Sequence, residues 1–179
     1  MVKGVLSCAL VILLAAAAAS PAPVDEYAVK AAFLYNFAKF VEWPDSAFAG
    51  HPETHRFCVY GADLSAPPLL QELEKKVVQG RRVVILHPGL PQELAACQIV
   101  FLRRGDDALL PEVLSAVGGR PVLLVGEAEG FAQRGGMINF VVEQEHVRFE
   151  INRHAAAAAG LAVSSKLLGL AKVIDRGER

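Results

Sequence analysis

The residues best suited to chemistry lie near the C-terminus, where His154, Ser164, Ser165 and Lys166 fall within thirteen positions. A Ser and a Lys can act as nucleophile and base in acyl transfer, in the arrangement Ser-x-x-Lys. That arrangement needs a Ser at position 163, where this chain has Val163. Because adjacent residues on a helix point in different directions, Ser165 and Lys166 do not face one another. The segment therefore predicts no catalytic site.

A structural role accounts for the same segment. Asn152 is a favourable N-cap for a helix that begins directly after it. Ala156, Gly160 and Ser164 recur every four residues, so on a continuous helix they form a ridge of small side chains. Such a ridge permits close packing on a sheet or on a second helix. We therefore expect one packing helix after Asn152.

A pair of histidines resembles a zinc site only superficially. Residues 51–55 read His-Pro-Glu-Thr-His. The zinc-protease motif needs a Glu directly after the first His, on a helix. Pro52 occupies that position in a predicted loop. We therefore expect His51 and His55 to be surface histidines, with incidental metal binding as the alternative.

The glycine-rich segments do not predict a cofactor site. Residues 126–130 and the pair Gly135-Gly136 match no phosphate-binding loop. The second pair leads into a strand, so no helix N-terminus would meet a phosphate there. A turn at residues 135–136 is the simpler interpretation. No motif supplies a Ser-His-Asp triad, and nothing in the sequence requires an enzyme.

The N-terminus predicts export. Lys3 precedes an apolar run over residues 5–19, and small residues, prolines and the first acids follow. This layout is typical of a cleaved signal peptide over residues 1–22, and the run is short for a membrane span. A permanent anchor is the alternative. The mature chain, residues 23–179, is long enough for one domain.

Charge argues against a nucleic-acid partner. Cleavage removes Lys3 and leaves 17 basic and 19 acidic residues, with no basic run. A nucleic-acid-binding domain usually carries a basic patch. The mature chain is therefore predicted to be an exported globular domain.

Two cysteines remain after cleavage, Cys58 and Cys97. In an oxidising compartment an even pair favours a disulfide, and two buried thiols are the alternative. Bridged Cα atoms lie about 4.4–6.8 Å apart, close to the spacing of neighbouring strands. A bridge would therefore place the strands that carry these cysteines side by side.

Apolar periodicity predicts an α/β domain. Residues 27–43 show helical spacing and hold six of the thirteen aromatic residues, which pack in the core or dock a partner. Four short apolar runs follow, each predicting a buried parallel strand. Those runs are residues 57–61, 82–86, 98–102 and 121–125. The predicted helices are residues 66–76, 91–96 and 106–117.

Residues 137–143 and 146–151 alternate and are separated by Gln144 and Glu145, which predicts an antiparallel hairpin. With the first and third strands adjacent through the cysteines, the parallel strands take the order 2-1-3-4. The expected fold is therefore a single-domain, mostly parallel, doubly wound sheet with flanking helices and a C-terminal hairpin.

Four blocks of the sequence resemble one family. They are KAAFLYNFAKFVEWP (30–44), the Cys58/Cys97 pair, GGMINFV (135–141), and VRFEIN with AGLAVSSKLLGLA (147–171). In this order they resemble the YfiR family across almost the whole mature chain. Some members carry a second cysteine pair, whereas this chain has no cysteine after Cys97.

The resemblance implies a periplasmic regulator without catalytic residues or cofactors. It would bind the periplasmic domain of a YfiN-type inner-membrane diguanylate cyclase and lower cyclic di-GMP. A YfiB-type outer-membrane lipoprotein would relieve the repression, and the repressor would form a homodimer. An aromatic helix and a small-residue helix on an exported domain fit such a binding protein.

Two other functional classes stay open. One is a periplasmic small-ligand sensor, or an accessory protein of another membrane signalling system. Its anion-facing set would be Arg148, Arg153 and His154, near a helix N-terminus. The other class is an unrecognised enzyme. A copurifying small molecule would favour the sensor, whereas a neighbouring gene for a diguanylate cyclase would favour the repressor.

Overall fold

The computed structural model describes residues 25–61 and 68–174. The predicted signal peptide lies outside the described residues. The α-helices are α1 (Glu26–Phe40), α2 (Pro68–Gln71), α3 (Leu110–Val117), α4 (Arg153–Ala158) and α5 (Ser165–Leu168). Short 3-10 helices span Asp45–Phe48, Glu72–Lys75, Pro91–Ala96 and Asp107–Leu109.

The described residues contain ten strands, distributed from residue 41 to residue 174. They are β1 (Val41–Glu42), β2 (Thr54–Tyr60), β3 (Val77–Val78), β4 (Arg81–Leu86), β5 (Ile99–Leu102), β6 (Leu123–Gly126), β7 (Ile138–Glu143), β8 (His146–Asn152), β9 (Ala162–Val163) and β10 (Lys172–Ile174). Eight of them form one sheet in the order β10-β8-β7-β6-β5-β2-β4-β3, while β1 and β9 form a separate two-stranded sheet.

The predicted strand order is confirmed. β4, β2, β5 and β6 are mutually parallel neighbours, which is the order 2-1-3-4. The two inner strands, β5 and β6, are short apolar runs because they are covered on both faces. All four residues of β5 and all four of β6 are buried. The mixed α/β domain with a mostly parallel sheet agrees with the sequence prediction.

Helices cover both faces of the sheet. α1 packs with α2 on one face, whereas α3 packs with Pro91–Ala96 on the other. This division follows from right-handed crossovers. The connection from β2 to β4 runs one way across the sheet, and the connections to β5 and β6 run the other way, so their helices lie on opposite faces. Phe33 and Phe37 of α1 meet Phe140 and Phe149 of the hairpin at centroid distances of 5.0–6.1 Å. The aromatic residues of α1 thus contribute to the core.

The hairpin forms as predicted. β7 pairs with β8 antiparallel, with Phe140 opposite Phe149 and Val142 opposite Val147. Gln144 and Glu145 close it with φ of 49° and 63°. Two consecutive residues with positive φ are characteristic of a type I′ turn, whose twist matches that of the strands.

The predicted continuous C-terminal helix is wrong. α4 has six residues and ends at Ala158, because Gly160 adopts φ 74° and turns the chain. A glycine in the left-handed region commonly ends a helix. β9 and α5 follow, so Ala156, Gly160 and Ser164 do not form a ridge on one helix. Asn152 does cap α4 as predicted, accepting from the Ala155 N–H at 2.9 Å.

The first helix ends earlier than predicted. α1 stops at Phe40 because Val41 and Glu42 pair with Val163 and Ala162. Backbone pairing across the chain therefore overrides the helical periodicity that continues to Trp43. The Ser164 N–H also donates to the Phe40 carbonyl at 2.9 Å. The small sheet ties the end of α1 to the C-terminal part of the domain.

The helix predicted at residues 66–76 is shorter in the structure. Residues 66 and 67 lie outside the described residues, and the remainder comprises α2 and the 3-10 helix Glu72–Lys75. Asp106–Val117 likewise divides into a 3-10 turn and α3. Within residues 25–61 and 68–174, no helix combines the length and apolar character that crossing a bilayer requires.

Candidate functional site

The serine and lysine residues near the C-terminus have structural positions. The Ser164 hydroxyl caps α5 and accepts from the Leu167 N–H at 3.3 Å. Ser165 and Lys166 are exposed in the first turn of α5. A Ser at a helix N-cap supplies an acceptor for an otherwise unpaired amide. The hydroxyl of Ser164 thus stabilises a helix end.

The three residues proposed as an anion-binding set lie at two places. Arg148 is on β8, where its Nε lies 3.6 Å from Glu143 Oε2. Arg153 and His154 are the exposed first two residues of α4, beyond the end of that strand. Arg148 lies five positions before this helix start, and each residue of a strand adds about 3.3 Å. The two places are therefore well separated along the chain. The assignment of these residues to a ligand stays a prediction.

The two histidines of residues 51–55 differ. His51 is exposed as predicted, whereas the prediction of a surface position is wrong for His55, whose side chain is 0% exposed. His55 is the second residue of β2 and shares a strand face with Phe57. Thr54 and His55 thus belong to a strand rather than to the predicted loop, and the ring of His55 faces inward. Within the described residues, no group of three His, Cys, Asp or Glu could hold a metal.

The structure contains the Cys58–Cys97 disulfide. Cys58 lies within β2 and Cys97 lies two residues before β5, and their Cα atoms are 6.0 Å apart. Both residues are buried. The bridge joins β2 and β5, which are parallel neighbours. The chain adds β4 on one side of β2 and then β5 on the other, so the bridge lies where the order of the strands changes direction. It therefore fixes the centre of the parallel sheet.

Sequence reasoning missed a buried charge cluster, defined here as Lys30, Glu127, Glu26 and Tyr27. Lys30 is 1% exposed, and its ammonium pairs with the carboxylate of Glu127, whose side chain is also 1% exposed. Lys30 Nζ also lies 2.5 Å from Glu26 Oε1, one helical turn away. Tyr27 donates from its hydroxyl to Glu127 Oε1 at 3.4 Å.

Further contacts surround the cluster. The Lys30 ammonium lies 4.8 Å from the centroid of the Tyr27 ring, within reach of a cation–π interaction. The hydrogen bond from Lys30 lowers the pKa of Glu26. Arg104, two residues after β5, also approaches Glu26, with Nη2 to Oε1 at 3.3 Å. A buried ion pair costs desolvation, and these extra contacts offset part of that cost.

A weak signal for the cluster was present in the sequence. Lys30 shares the apolar face of α1 with Leu34 and Phe37, where a charged residue is unexpected. Glu127 directly follows the buried strand β6. Carboxyl ends of parallel strands are a usual location for binding residues. Their pairing joins residues 97 positions apart, so no local pattern could reveal it.

An apolar edge lies at the β10 end of the sheet. We define it by Val142, Leu170 and Val173, which are 48%, 73% and 38% exposed. A groove of about 620 Å³ runs between the hairpin and the loop after α5, with Phe149 and Leu170 in its wall. Exposed apolar patches on a soluble domain often mark contact surfaces.

These features define a disulfide-bridged α/β domain with a mostly parallel sheet and an apolar edge. The family model described as YfiR/HmsC-like matches residues 27–172. The chain therefore belongs to the YfiR/HmsC-like family. No curated protein matches it.

Two solved structures are similar in part. One is the ABC domain in complex with L-Trp from Streptococcus pneumonia, with 13% identity, a TM-score of 0.47 and 73% of this chain covered. The other is a conserved domain protein from Vibrio cholerae, with 12% identity, a TM-score of 0.47 and 68% covered. The chain spans 58% and 54% of the lengths of those two chains.

Proposed function

We propose that the protein is a periplasmic regulator that lowers cyclic di-GMP by binding an inner-membrane diguanylate cyclase and holding it inactive. The observation that carries this proposal is the family match over residues 27–172, which is almost all of the described chain. The disulfide supports an oxidising compartment. Neither enzymatic chemistry nor a cofactor is part of the proposed action.

Repression by contact is a shift in the conformational equilibrium of the cyclase. A bound protein changes such an equilibrium only by its difference in affinity for the two states. Moving a cyclase from mostly active to mostly inactive requires a preference of about 10⁴-fold for the inactive state. The regulator therefore needs a contact surface that recognises one arrangement of the periplasmic domain.

The apolar edge is the surface we propose for this contact. In the described residues, β10 pairs only with β8, so its other edge can accept a further strand or an apolar segment. Leu170→Asp should weaken repression because it introduces a charge into the apolar edge. Leu90→Asp is the matched control, since Leu90 is also exposed, at 60%, but precedes the Pro91–Ala96 turn.

Deletion tests the function itself. Loss of the gene should raise cyclic di-GMP and surface attachment only in cells that contain the cognate cyclase. Mature protein sent to the periplasm should restore repression, and the same domain kept in the cytoplasm should not. If the cyclase is shown to be present and the deletion leaves the level of cyclic di-GMP unchanged, the proposed repressor function is refuted.

Single changes test whether repression depends on chemistry. Ser165→Ala and His154→Ala should leave repression intact, because neither side chain acts as a nucleophile or base in the proposed mechanism. Ser164→Ala removes a helix cap and should cost only about 1 kcal/mol of stability. Loss of repression in a folded variant of any of the three would reopen the catalytic or ligand-sensing interpretation.

Two further partners belong to the proposal. A YfiB-type outer-membrane lipoprotein would relieve repression by binding the regulator, and the regulator would form a homodimer. Sedimentation of the mature protein at micromolar concentration should then show a dimer. A monomer at every accessible concentration would exclude the homodimer but leave binding to the cyclase to be judged by the deletion experiment.

A further inference from the structure

A short segment of the chain covers the buried His55. We call residues 41–48, which run from β1 to the end of the 3-10 helix at Phe48, the cover segment. The indole of Trp43 and the ring of Phe48 lie against the imidazole, with centroid distances of 4.9 and 5.6 Å. His55 itself is 0% exposed. Displacement of the cover segment would therefore bring the imidazole into contact with water.

The cover segment lies outside the eight-stranded sheet. β1 pairs with β9 over two residues, and the side-chain amide of Gln79 donates to the Val41 carbonyl at 3.2 Å. The side-chain amide of Gln98 donates to the Ala47 carbonyl at 2.6 Å. Proteins open locally in such units at a lower free energy than global unfolding requires. The large apolar side chains of the segment are buried, so the closed state dominates at neutral pH.

The closed site does not accommodate a second proton on His55. Neither ring nitrogen has a hydrogen-bond partner among the described residues, so the added N–H would be unpaired. Arg81, at the start of β4, places a positive charge near the imidazole, and its guanidinium lies 3.8 Å from the centroid of the Phe48 ring. The remaining charged side chains of these elements are Arg56, on the other face of β2, and the exposed Glu42, Asp45, Glu53 and Arg82. An imidazolium in the closed site would thus be desolvated beside another cation.

Acid therefore favours the open state. Burial, and then the charge of Arg81, lower the pKa of His55 to about 4 in the closed state, whereas a ring in water has a pKa of about 6.5. Between these values the open state binds a proton that the closed state does not, so its population rises as the pH falls. From pH 7 to pH 5 the linkage predicts an increase of about 20-fold. Ordinary carboxyl groups, with pKa values of about 4, stay ionised over this range.

The opening would reach the apolar edge through β9. In the described residues β9 pairs with β1 alone, and the N–H of Ser164, directly after β9, donates to the Phe40 carbonyl at 2.9 Å. Ser164 also caps α5, which ends two residues before Leu170. An opened cover segment therefore removes a backbone attachment between α1 and the segment that carries Leu170.

We propose that His55 controls an acid-operated opening of the cover segment, which separates β1 from β9 and loosens the part of the apolar edge that carries Leu170. The opening is a property of this domain alone and is measured without any cyclase. Relief of repression by acid is a further consequence, and that consequence rests on the proposed function. Failure of the opening would leave the repressor function to be judged by the deletion experiment.

The test is hydrogen exchange measured by NMR at pH 7 and pH 5 on the mature, disulfide-bonded protein. Trp43 is the one tryptophan of the sequence, so its indole N–H gives a single signal beside His55. Protection factors, which remove the intrinsic pH dependence of exchange, should fall about 20-fold at the Trp43 indole and at the Ser164 amide.

The Leu123 amide is the internal reference for global unfolding, because it donates to the Gln98 carbonyl within the main sheet. At both pH values it should stay at least about tenfold better protected than the Ser164 amide, since a local opening does not expose it. Equal protection of Ser164 and Leu123 would show that β9 opens only when the whole domain unfolds. That result, or protection of Ser164 that does not fall with pH, would overturn the proposal.

Two variants and one control assign the pH dependence to His55. His55→Leu and His55→Gln do not titrate, so the fall in protection between pH 7 and pH 5 should vanish in both. The glutamine variant decides the matter if the leucine variant does not fold, and the wild-type comparison of Ser164 with Leu123 needs neither. His51→Ala changes an exposed histidine and should keep the fall. A fall that persists in a folded His55 variant, or that is lost in His51→Ala, would refute the role of His55.

Discussion

The imidazole of His55 lies nearly perpendicular to the indole of Trp43, with ring centroids 4.9 Å apart and an interplanar angle of 89°. Phe48 and Phe57 also contact it, at centroid distances of 5.6 and 5.3 Å. Neither ring nitrogen of His55 has a hydrogen-bond partner among the described residues. Burial, and then the positive charge of Arg81, lower the pKa of His55 to about 4. The folded domain therefore holds this histidine neutral.

This depressed pKa predicts acid sensitivity of the fold. An unfolded histidine has a pKa of about 6.5. Below that pH the unfolded chain binds a proton that the folded protein does not bind until about pH 4. His55 should therefore reduce the free energy of unfolding by about 3 kcal/mol as the pH falls from about 6.5 to about 4. Urea unfolding across this pH range measures the loss.

Two variants separate His55 from the carboxylates that also titrate. His55→Leu should lack this part of the pH dependence, while His51→Ala, which changes an exposed histidine, should retain it. The quantity compared is the change in unfolding free energy between pH 7 and pH 4. Identical pH dependence in wild type and His55→Leu would contradict the prediction.

The Lys30–Glu127 pair should couple strongly in a double-mutant cycle. Lys30→Met should destabilise the fold by about 3–5 kcal/mol, because it leaves the buried Glu127 without its counter-ion. Lys30→Met with Glu127→Gln should lose less than the sum of the single changes, with a coupling of about 1–3 kcal/mol. Chemical denaturation of the four proteins measures this coupling.

The matched control for this cycle is an exposed ion pair. Lys75 and Glu72 lie 2.7 Å apart, but their side chains are 71% and 60% exposed. Water screens such a pair, so Lys75→Met should change stability little. Additive effects at Lys30 and Glu127 would show that the buried ions do not depend on one another.

The disulfide should contribute about 4 kcal/mol of stability. It closes a loop of 39 residues, for which chain entropy gives a stabilisation of about this size. Cys58→Ser with Cys97→Ser should lose that amount in urea unfolding, and reducing agent should then have no further effect. Thiol titration gives the independent check, since two reactive thiols in the unreduced mature protein would disprove the bridge.

Gly160 should resist substitution because of its backbone conformation. Its φ is 74°, and a Cβ placed there would meet no atom within 4 Å. Gly160→Ala should therefore cost about 1–2 kcal/mol through the left-handed backbone alone. Gly50→Ala is the control, because Gly50 also has open space but no positive φ. Equal thermal stability of the two variants would be the opposing result.

The parallel half of the sheet was predictable because its signals are local. Each buried strand is a short apolar run, and the disulfide geometry links β2 to β5 independently of those runs. The C-terminal segment was not predictable in this way. Its alanines favour a helix, but Ala162 and Val163 pair with residues near position 41. No feature of the neighbouring sequence predicts such a pairing. The pairing of Lys30 with Glu127 is equally unpredictable from local sequence.

The small β1–β9 sheet also bears on the order in which the domain can fold. β1 follows α1 directly, but its partner Val163 is made about 120 residues later. The hairpin that receives Phe33 and Phe37 also comes more than about 100 residues after them. Contacts this distant in sequence form slowly, since a long loop must close first. During synthesis, the aromatic side of α1 therefore remains exposed until the C-terminal strands arrive. The nascent chain needs protection from aggregation for that whole interval.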